Sequence, residues 1–92
     1  MFVPCYTGQF RRDLKRFEKS GNIDAGKLKA VINFLIEGKP LSARHRDHTL
    51  TGNYLNRREC HIEPDWLLIY KIDNRAGEIV FERTGSHSEL FS

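Results

Sequence analysis

Four histidines, His45, His48, His61 and His87, all fall after residue 44, and they are the residues from which chemistry could be built. Imidazole changes charge nearest neutral pH, so histidines in loops and at strand ends suit proton transfer. His61 stands in "ECHIEPDWLLIY", residues 59–70, where a histidine, two acids and the only tryptophan run directly into an apolar stretch. Packing accounts for Leu67, Leu68 and Ile69 but does not ask for His61, Glu63, Asp65 and Trp66 in that order. A polar cluster at a strand end is therefore expected. His87 follows "FERTGS", which also carries Arg83.

If these segments form an antiparallel meander, His48, His61, Asp65, Arg83 and His87 surround one concave surface. Such a set fits cleavage of RNA without a metal. A base takes the ribose 2′-hydroxyl proton, the oxygen attacks the neighbouring phosphorus, and an acid protonates the departing 5′-oxygen. An arginine fork suits the charge that builds on the nonbridging oxygens, because it stays protonated and donates two hydrogen bonds at once. Trp66 and Phe91 offer flat faces on which a base can stack, worth about 1–3 kcal/mol per base. Plainer readings stand beside each residue. Trp66 can be core, Asp65 a turn acid accepting backbone hydrogen bonds, and Arg83 an exposed ion pair with Glu82 or Glu78. His45, between Arg44 and Arg46, reads as part of a basic loop, and Cys60 as core rather than nucleophile. His45-x-x-His48 with Cys60, His61 or His87 supplies zinc ligands of suitable type, but the spacing matches no closed structural pattern. No metal and no cofactor are expected.

The elements that must hold these groups follow from pattern. "FVPCY" has strand-forming residues, with Pro4 confining it to an edge or a strand beginning. From Thr7, a candidate N-cap, Phe10, Leu14 and Phe17 recur at helical spacing among Arg11, Arg12, Lys15, Arg16 and Lys19, which predicts a basic amphipathic helix. Asn22 or Asp24 can cap a second helix with Leu28, Val31, Ile32, Leu35 and Ile36 on one stripe, ended by Gly38 and Pro40. "LSARHRDHTLTGNYLN" has no clean period and reads as a long surface connection. Three strand-like runs follow, roughly 55–62, 66–72 and 78–84, the last two joined by the turn signal "DNRAG". "GSHSELFS" closes with a turn and one helical turn. The order is β-α-α-β-β-β, an α+β design with a small antiparallel sheet and a helical hairpin on one face.

Ninety-two residues allow one core, so a single domain spanning 1–92 is expected. Hydrophobic residues make up 39% and charged ones 29%, grouped in periodic blocks as in a soluble chain that folds. No apolar run approaches the roughly 20 residues that cross a bilayer, and "MFVPCYTGQFRR" lacks the pattern of a secretory leader. A cytoplasmic protein without a membrane partner is expected. Cys5 and Cys60 are too few for a disulfide framework. Residues 1–50 carry ten Lys/Arg against five Asp/Glu, and residues 51–92 carry five against seven. The basic half could face a polyanion such as nucleic acid.

The stretch "RDHTLTGNYLNRRECHIEPDWLLIYKIDNRAGEIVFERTGSHSELFS" resembles the YafQ branch of the RelE/ParE toxin superfamily. The match is dense over 47–92 and looser before it, and Arg46 replaces a lysine expected there. The resemblance implies a RelE-like, microbial-RNase-like fold. It also implies a ribosome-dependent messenger-RNA endonuclease, the toxin of a bacterial type II toxin–antitoxin pair, cutting in the ribosomal A site by 2′-hydroxyl attack. Carried over by position, the functional residues are His48, His61, Asp65, Trp66, Arg83, His87 and Phe91. His87 would be the acid or proton relay, Arg83 the charge stabiliser, His48, His61 and Asp65 the base and positioning groups, and Trp66 and Phe91 the nucleotide platform. Lys15, Arg16, Lys19, Lys27 and Lys29 would hold ribosomal RNA through phosphate contacts. Implied partners are a cognate DinJ- or RelB-like antitoxin, the ribosome and mRNA, with DNA reached only through the antitoxin complex. Two other functions remain open from sequence: a ParE-like gyrase-inhibiting toxin, for which the histidines are unnecessary, and a non-catalytic RNA- or antitoxin-binding module.

Overall fold

The computed structural model describes residues 1–21 and 23–91. Five strands, β1 (Val3–Tyr6), β2 (His48–Thr49), β3 (Arg58–Glu63), β4 (Trp66–Asp73) and β5 (Glu78–Gly85), form one sheet in the order β1-β5-β4-β3-β2. Helices α1 (Gly8–Lys19) and α2 (Ala25–Ile36) lie between β1 and β2 in sequence, and the short α3 (His87–Phe91) follows β5. The α+β order is as expected, with three differences. The sheet is mixed, because β1 pairs parallel to β5, Val3 opposite Glu78 through Tyr6 opposite Phe81. β1 leads into α1, whose helical crossover returns the chain to the far side, a route that a parallel pair requires. The long connection contains β2, which pairs with β3 only through His48–Glu59 and Thr49–Arg58. β3 begins at Arg58 rather than near 55, since Asn56 takes a positive φ of 69° at the end of a tight turn.

Local chemistry sets the helix ends. The Thr7 hydroxyl accepts the Phe10 amide at 3.0 Å and donates to the Glu82 carbonyl at 3.0 Å, so one side chain caps α1 and ties it to β5. Asp24 caps α2 by accepting the Gly26 amide at 2.9 Å; Asn22, the other candidate, lies outside the described residues. Gly38, at φ 73°, ends α2 with two backbone bonds, its own amide to Leu35 and that of Lys39 to Phe34. Few residues but glycine accept that backbone. Phe10 from α1 and Leu28, Val31, Ile32 and Leu35 from α2 meet Cys60, Ile62, Trp66, Leu68, Tyr70, Ile79 and Phe81 on one face of the sheet.

The other face, termed the open face, carries a smaller apolar cluster edged by polar side chains and is covered by neither α1 nor α2. Leu67 and Ile69 of β4 are buried there with Leu90 of α3, and Leu50 and Tyr54 pack against them. Strand alternation gives this division, since successive side chains of a strand point to opposite faces. It is broken once to consequence. Ile69 pairs with Arg83 while its neighbour Tyr70 pairs with Phe81, so Glu82 is an extra residue in β5. Simple alternation from Phe81 would aim Arg83 into the helix-covered core. The bulge at Glu82 turns Arg83 to the Leu67–Ile69 face instead.

Trp66 belongs to the helix-covered core. Only 1% of its surface is exposed, Phe17 packs on it with ring centroids 5.2 Å apart, and its indole N–H donates to Thr84 Oγ1 at 3.0 Å. As the sole tryptophan it reports directly: its fluorescence is expected to be blue-shifted and poorly quenched by iodide. Trp66→Ala should lower stability by about 3–5 kcal/mol in urea unfolding. Ready quenching in the folded protein, or a loss under about 1 kcal/mol, would contradict this placement.

Candidate active site

Pairing across the ladders puts the polar groups of the open face in two adjacent rows. His48 stands opposite Glu59, Glu59 opposite Ile69, and Ile69 opposite Arg83. In the next row His61 stands opposite Leu67, and Leu67 opposite Gly85. Directly paired residues share a face, so His48, Glu59, His61 and Arg83 stand around a floor of Leu67 and Ile69 that Leu50, Tyr54 and Leu90 cover. Glu59 and Arg83 are two strands apart, roughly 10 Å between backbones, a gap that a ribose and its phosphate can span.

Glu59 is the hub of one side. Its carboxylate is only 6% exposed, and its Oε1 lies 3.3 Å from His61 Nε2 and 3.5 Å from His48 Nε2. Each imidazole is held from its other nitrogen, His48 Nδ1 at 2.5 Å from the Arg46 carbonyl and His61 Nδ1 at 3.2 Å from that of Pro64. A bonded second nitrogen fixes ring orientation and tautomer. The β2 segment that carries His48 is anchored by Asp47, which accepts from Tyr70 Oη at 2.6 Å and pairs with Arg58 at 3.3 Å. Burial pushes the Tyr70 hydroxyl pKa up, and its hydrogen bond to Asp47 adds to that, so it stays a donor.

The opposite side is built on a buried ion pair. Asp13 of α1 has no exposed side-chain surface, and its two oxygens receive five donors. Arg83 Nε at 2.7 Å and the Thr84 amide at 3.2 Å reach Oδ2; Arg83 Nη2 at 3.1 Å, Gln9 Nε2 at 2.9 Å and Arg16 Nη2 at 3.2 Å reach Oδ1. Burial opposes ionisation of Asp13, yet the hydrogen bonds from Arg83, Gln9 and the Thr84 amide outweigh it and hold the carboxyl below its ordinary range. The same bonds raise the Arg83 guanidinium further. Arg83 keeps 24% of its side chain exposed, with Nη1 3.4 Å from the Tyr54 hydroxyl.

α3 closes the third side. Ser86 and Glu89 form a reciprocal cap, the Ser86 amide donating to Glu89 Oε1 at 2.8 Å and the Glu89 amide to Ser86 Oγ at 3.3 Å. Gly85, at φ 155°, lets the chain turn there, and a Cβ on it would lie 3.0 Å from Glu89 Oε1. Asp65 accepts the His87 amide at 2.9 Å, tying the β3–β4 turn to the start of α3. His87 is exposed with its ring 5.0 Å from that of Phe91, and Phe91 meets Tyr54 edge-on at 5.6 Å.

Of the residues expected from sequence, the open face thus gathers His48, His61 and Arg83, with His87 and Phe91 at its border on α3. Asp65 holds backbone rather than facing the floor. Trp66 departs from expectation: its ring points into the helix-covered core, so it offers no platform, because the strand it opens starts on that face. Arg83 pairs with Asp13, not with Glu82 or Glu78; Glu82 instead takes Arg57 at 2.8 Å. His45 directs Nδ1 to the His61 carbonyl at 2.7 Å and supports the site from behind. Cys60 is buried on the far face, where burial pushes its thiol pKa up and leaves no thiolate nucleophile. Among the described residues no three His, Cys, Asp or Glu side chains are grouped to hold a metal ion. Lys15, Lys19 and Lys29 are exposed on the helices, whereas Lys27 pairs with Glu63 at 2.7 Å and Arg16 with Asp13 and Glu89. Sequence reading missed three residues. Glu59 was legible, since residues two apart in a strand share a face and His61 was already chosen. Asp13 and Tyr54 carried no local signal.

Known proteins agree with this architecture. A family model described as bacterial toxin of type II toxin-antitoxin system, YafQ, matches residues 3–92. The mRNA interferase toxin YafQ of Escherichia coli strain K12 is 42% identical over 87 residues, 94% of this chain and 91% of its own. The crystal structure of YafQ from E. coli strain BL21(DE3) superposes with a TM-score of 0.90 at 39% identity, covering 100% of both chains. A chain of the crystal structure of the E. coli DinJ-YafQ complex does so at 0.89 with 40% identity, again over 100% of both.

The lowered pKa of Asp13 has a definite sign. A carboxyl depressed in the folded state stabilises the fold fully above its ordinary pKa of 3.8, and that contribution is lost as pH falls through the lower folded value. Wild type should therefore lose more stability than Asp13→Asn between about pH 5 and pH 2. Parallel urea midpoints for the two proteins across that window would contradict the assignment.

Proposed function

Because the chain belongs to the YafQ family of bacterial type II toxin–antitoxin toxins, we propose that it is an mRNA interferase, an endoribonuclease that cuts message on the ribosome by acid–base chemistry. The observation that carries this reading is the pair of rows on the open face, His48, Glu59 and His61 on one side of an apolar floor and Arg83 on the other, with His87 on α3, where its amide is held by Asp65. A 2′-hydroxyl over the floor loses its proton to one of the two imidazoles, and Glu59 offsets the charge that imidazole gains. The oxygen attacks the adjacent phosphorus. The outward edge of Arg83 meets the charge growing on the nonbridging oxygens, which a preorganised donor stabilises most effectively where water is excluded. His87 protonates the departing 5′-oxygen, leaving a 2′,3′-cyclic phosphate on the upstream fragment. Asp65 contributes by holding the His87 backbone. Phe91, 38% exposed, carries the stacked base, with Tyr54 rather than Trp66 as its aromatic neighbour.

Exposed Lys15, Lys19 and Lys29 make salt-sensitive contacts with ribosomal RNA, while Lys27 and Arg16 are partly neutralised by their acidic partners. The controlling partner is a DinJ-like antitoxin, supported by the E. coli complex that this chain resembles.

The test is cleavage of a defined message by purified protein, with and without ribosomes, read by primer extension and end-group analysis. Ribosome-dependent cuts in the A-site codon with a cyclic phosphate end are expected. His87→Ala should slow cleavage by about 10²–10⁴-fold and Arg83→Ala by about 10²–10³-fold. Neutralising Lys15, Lys19 and Lys29 together should weaken ribosome binding and flatten its salt dependence. Intact protein that cuts nothing and instead stalls gyrase, or a stoichiometric transition-metal ion required for activity, would overturn the mechanism.

A further inference from the structure

Resting on the ribonuclease reading above, we propose that Asp13, a helix residue that cannot touch the substrate, is the positioning residue that aims the Arg83 guanidinium at the scissile phosphate. A guanidinium has five N–H groups in a rigid planar fork. Asp13 takes the Nε–H and one Nη2–H side-on, at 2.7 and 3.1 Å, and the Tyr54 hydroxyl lies 3.4 Å from Nη1. One N–H of Nη2 and one of Nη1 have no partner among the described residues, on a side chain that keeps 24% of its surface exposed. The end of such a fork suits two phosphate oxygens.

Asp13 can aim the fork because it cannot itself move. Its side chain is wholly buried, and Gln9, Arg16 and the Thr84 amide hold the same two oxygens that receive Arg83. The Thr84 amide matters most here. It belongs to the residue after Arg83 in β5, so one carboxylate fixes both the side chain and the backbone next to it. β1 pairs with β5 only as far as Phe81, so beyond it β4 pairs one edge of β5 and α1 holds the other through Asp13. The bulge at Glu82 brings Arg83 to the open face, and Asp13 sets its angle there. The exposed part of the guanidinium, on the face that carries His48 and His61, is what suits this pair to the reaction.

The experiment is a double-mutant cycle on ribosome-dependent cleavage, using Asp13→Asn, Asp13→Glu and Arg83→Ala singly and Asp13 changes combined with Arg83→Ala. Single-turnover rate and KM are measured for each, with melting temperature in parallel so that rates are compared only for folded protein. Asp13→Asn is expected to lower the rate about 100-fold, the cost of misplacing a reacting group by about 1 Å, while KM changes less than about threefold. Asp13→Glu keeps the charge but moves the carboxylate, and loses rate similarly. In the Arg83→Ala background either Asp13 change has under about threefold effect, because nothing remains to aim. Equal losses in both backgrounds, or unimpaired rates in folded Asp13→Asn and Asp13→Glu, would overturn the proposal. Wild type that fails to cleave would instead remove the ribonuclease reading on which it rests.

Discussion

A pleated strand offers its side chains only two directions, and the division of labour in this molecule follows from that constraint and from the bulge in β5 that breaks it. On one face, alternate residues of β3, β4 and β5 are apolar and meet both helices, which spend their hydrophobic stripes on that single contact. The residues between them, Glu59, His61, Leu67 and Ile69, are thereby committed to the other face. Without the extra residue at Glu82, Arg83 would follow Phe81 into the helix-covered core, away from the imidazoles. The bulge costs one ladder pairing and delivers the cation to the face that holds the imidazoles.

The ion pair between Asp13 and Arg83 then joins the two halves of the fold. Breaking a buried pair by removing one member typically costs about 3–5 kcal/mol, because the remaining charge loses its partner in a place water barely reaches. Replacing both members by apolar residues can be neutral, so stability alone does not explain why such a pair is kept. Its geometry does, since it holds a flexible arginine in one orientation before any ligand arrives. In the proposed mechanism the helix-covered face supplies the rigidity and the open face the chemistry, with Asp13 at their seam. Burial of Thr84, which bonds Asp13 through its amide, Trp66 through its hydroxyl oxygen and the Leu67 carbonyl through its hydroxyl proton, ties that seam to the sheet centre.

How much of this could be read from the chain depends on whether the signal is local. Helices α1 and α2 and strands β4 and β5 announce themselves by periodicity, caps and the "DNRAG" turn, since each is fixed mainly by its own residues. β2 does not, being two residues long and existing only through its pairing with β3. The parallel pairing of β1 is equally silent, because the partner strand lies some 75 positions away. At the site, His48, His61, Arg83 and His87 were legible as residue types suited to proton and phosphate chemistry. Trp66 kept two readings, core and platform, because a residue at a strand start gives no sign of which face it takes; its burial decides for core. Asp13 looked like one acid on a basic helix, and its role depends on a contact 70 residues distant.

The central claim is that RNA reacts on the open face, above Leu67 and Ile69. The most direct measurement is the structure of this chain on a ribosome whose A-site codon carries a 2′-O-methyl group at the cleavage position, so that binding occurs without reaction. The account predicts the scissile phosphate over that floor, Arg83 Nη1 and Nη2 at hydrogen-bond distance from its nonbridging oxygens, the methylated 2′-oxygen toward the His48–Glu59–His61 side, and His87 toward the 5′-oxygen. Message seated against α1 and α2, with the open face turned to solvent, would contradict it.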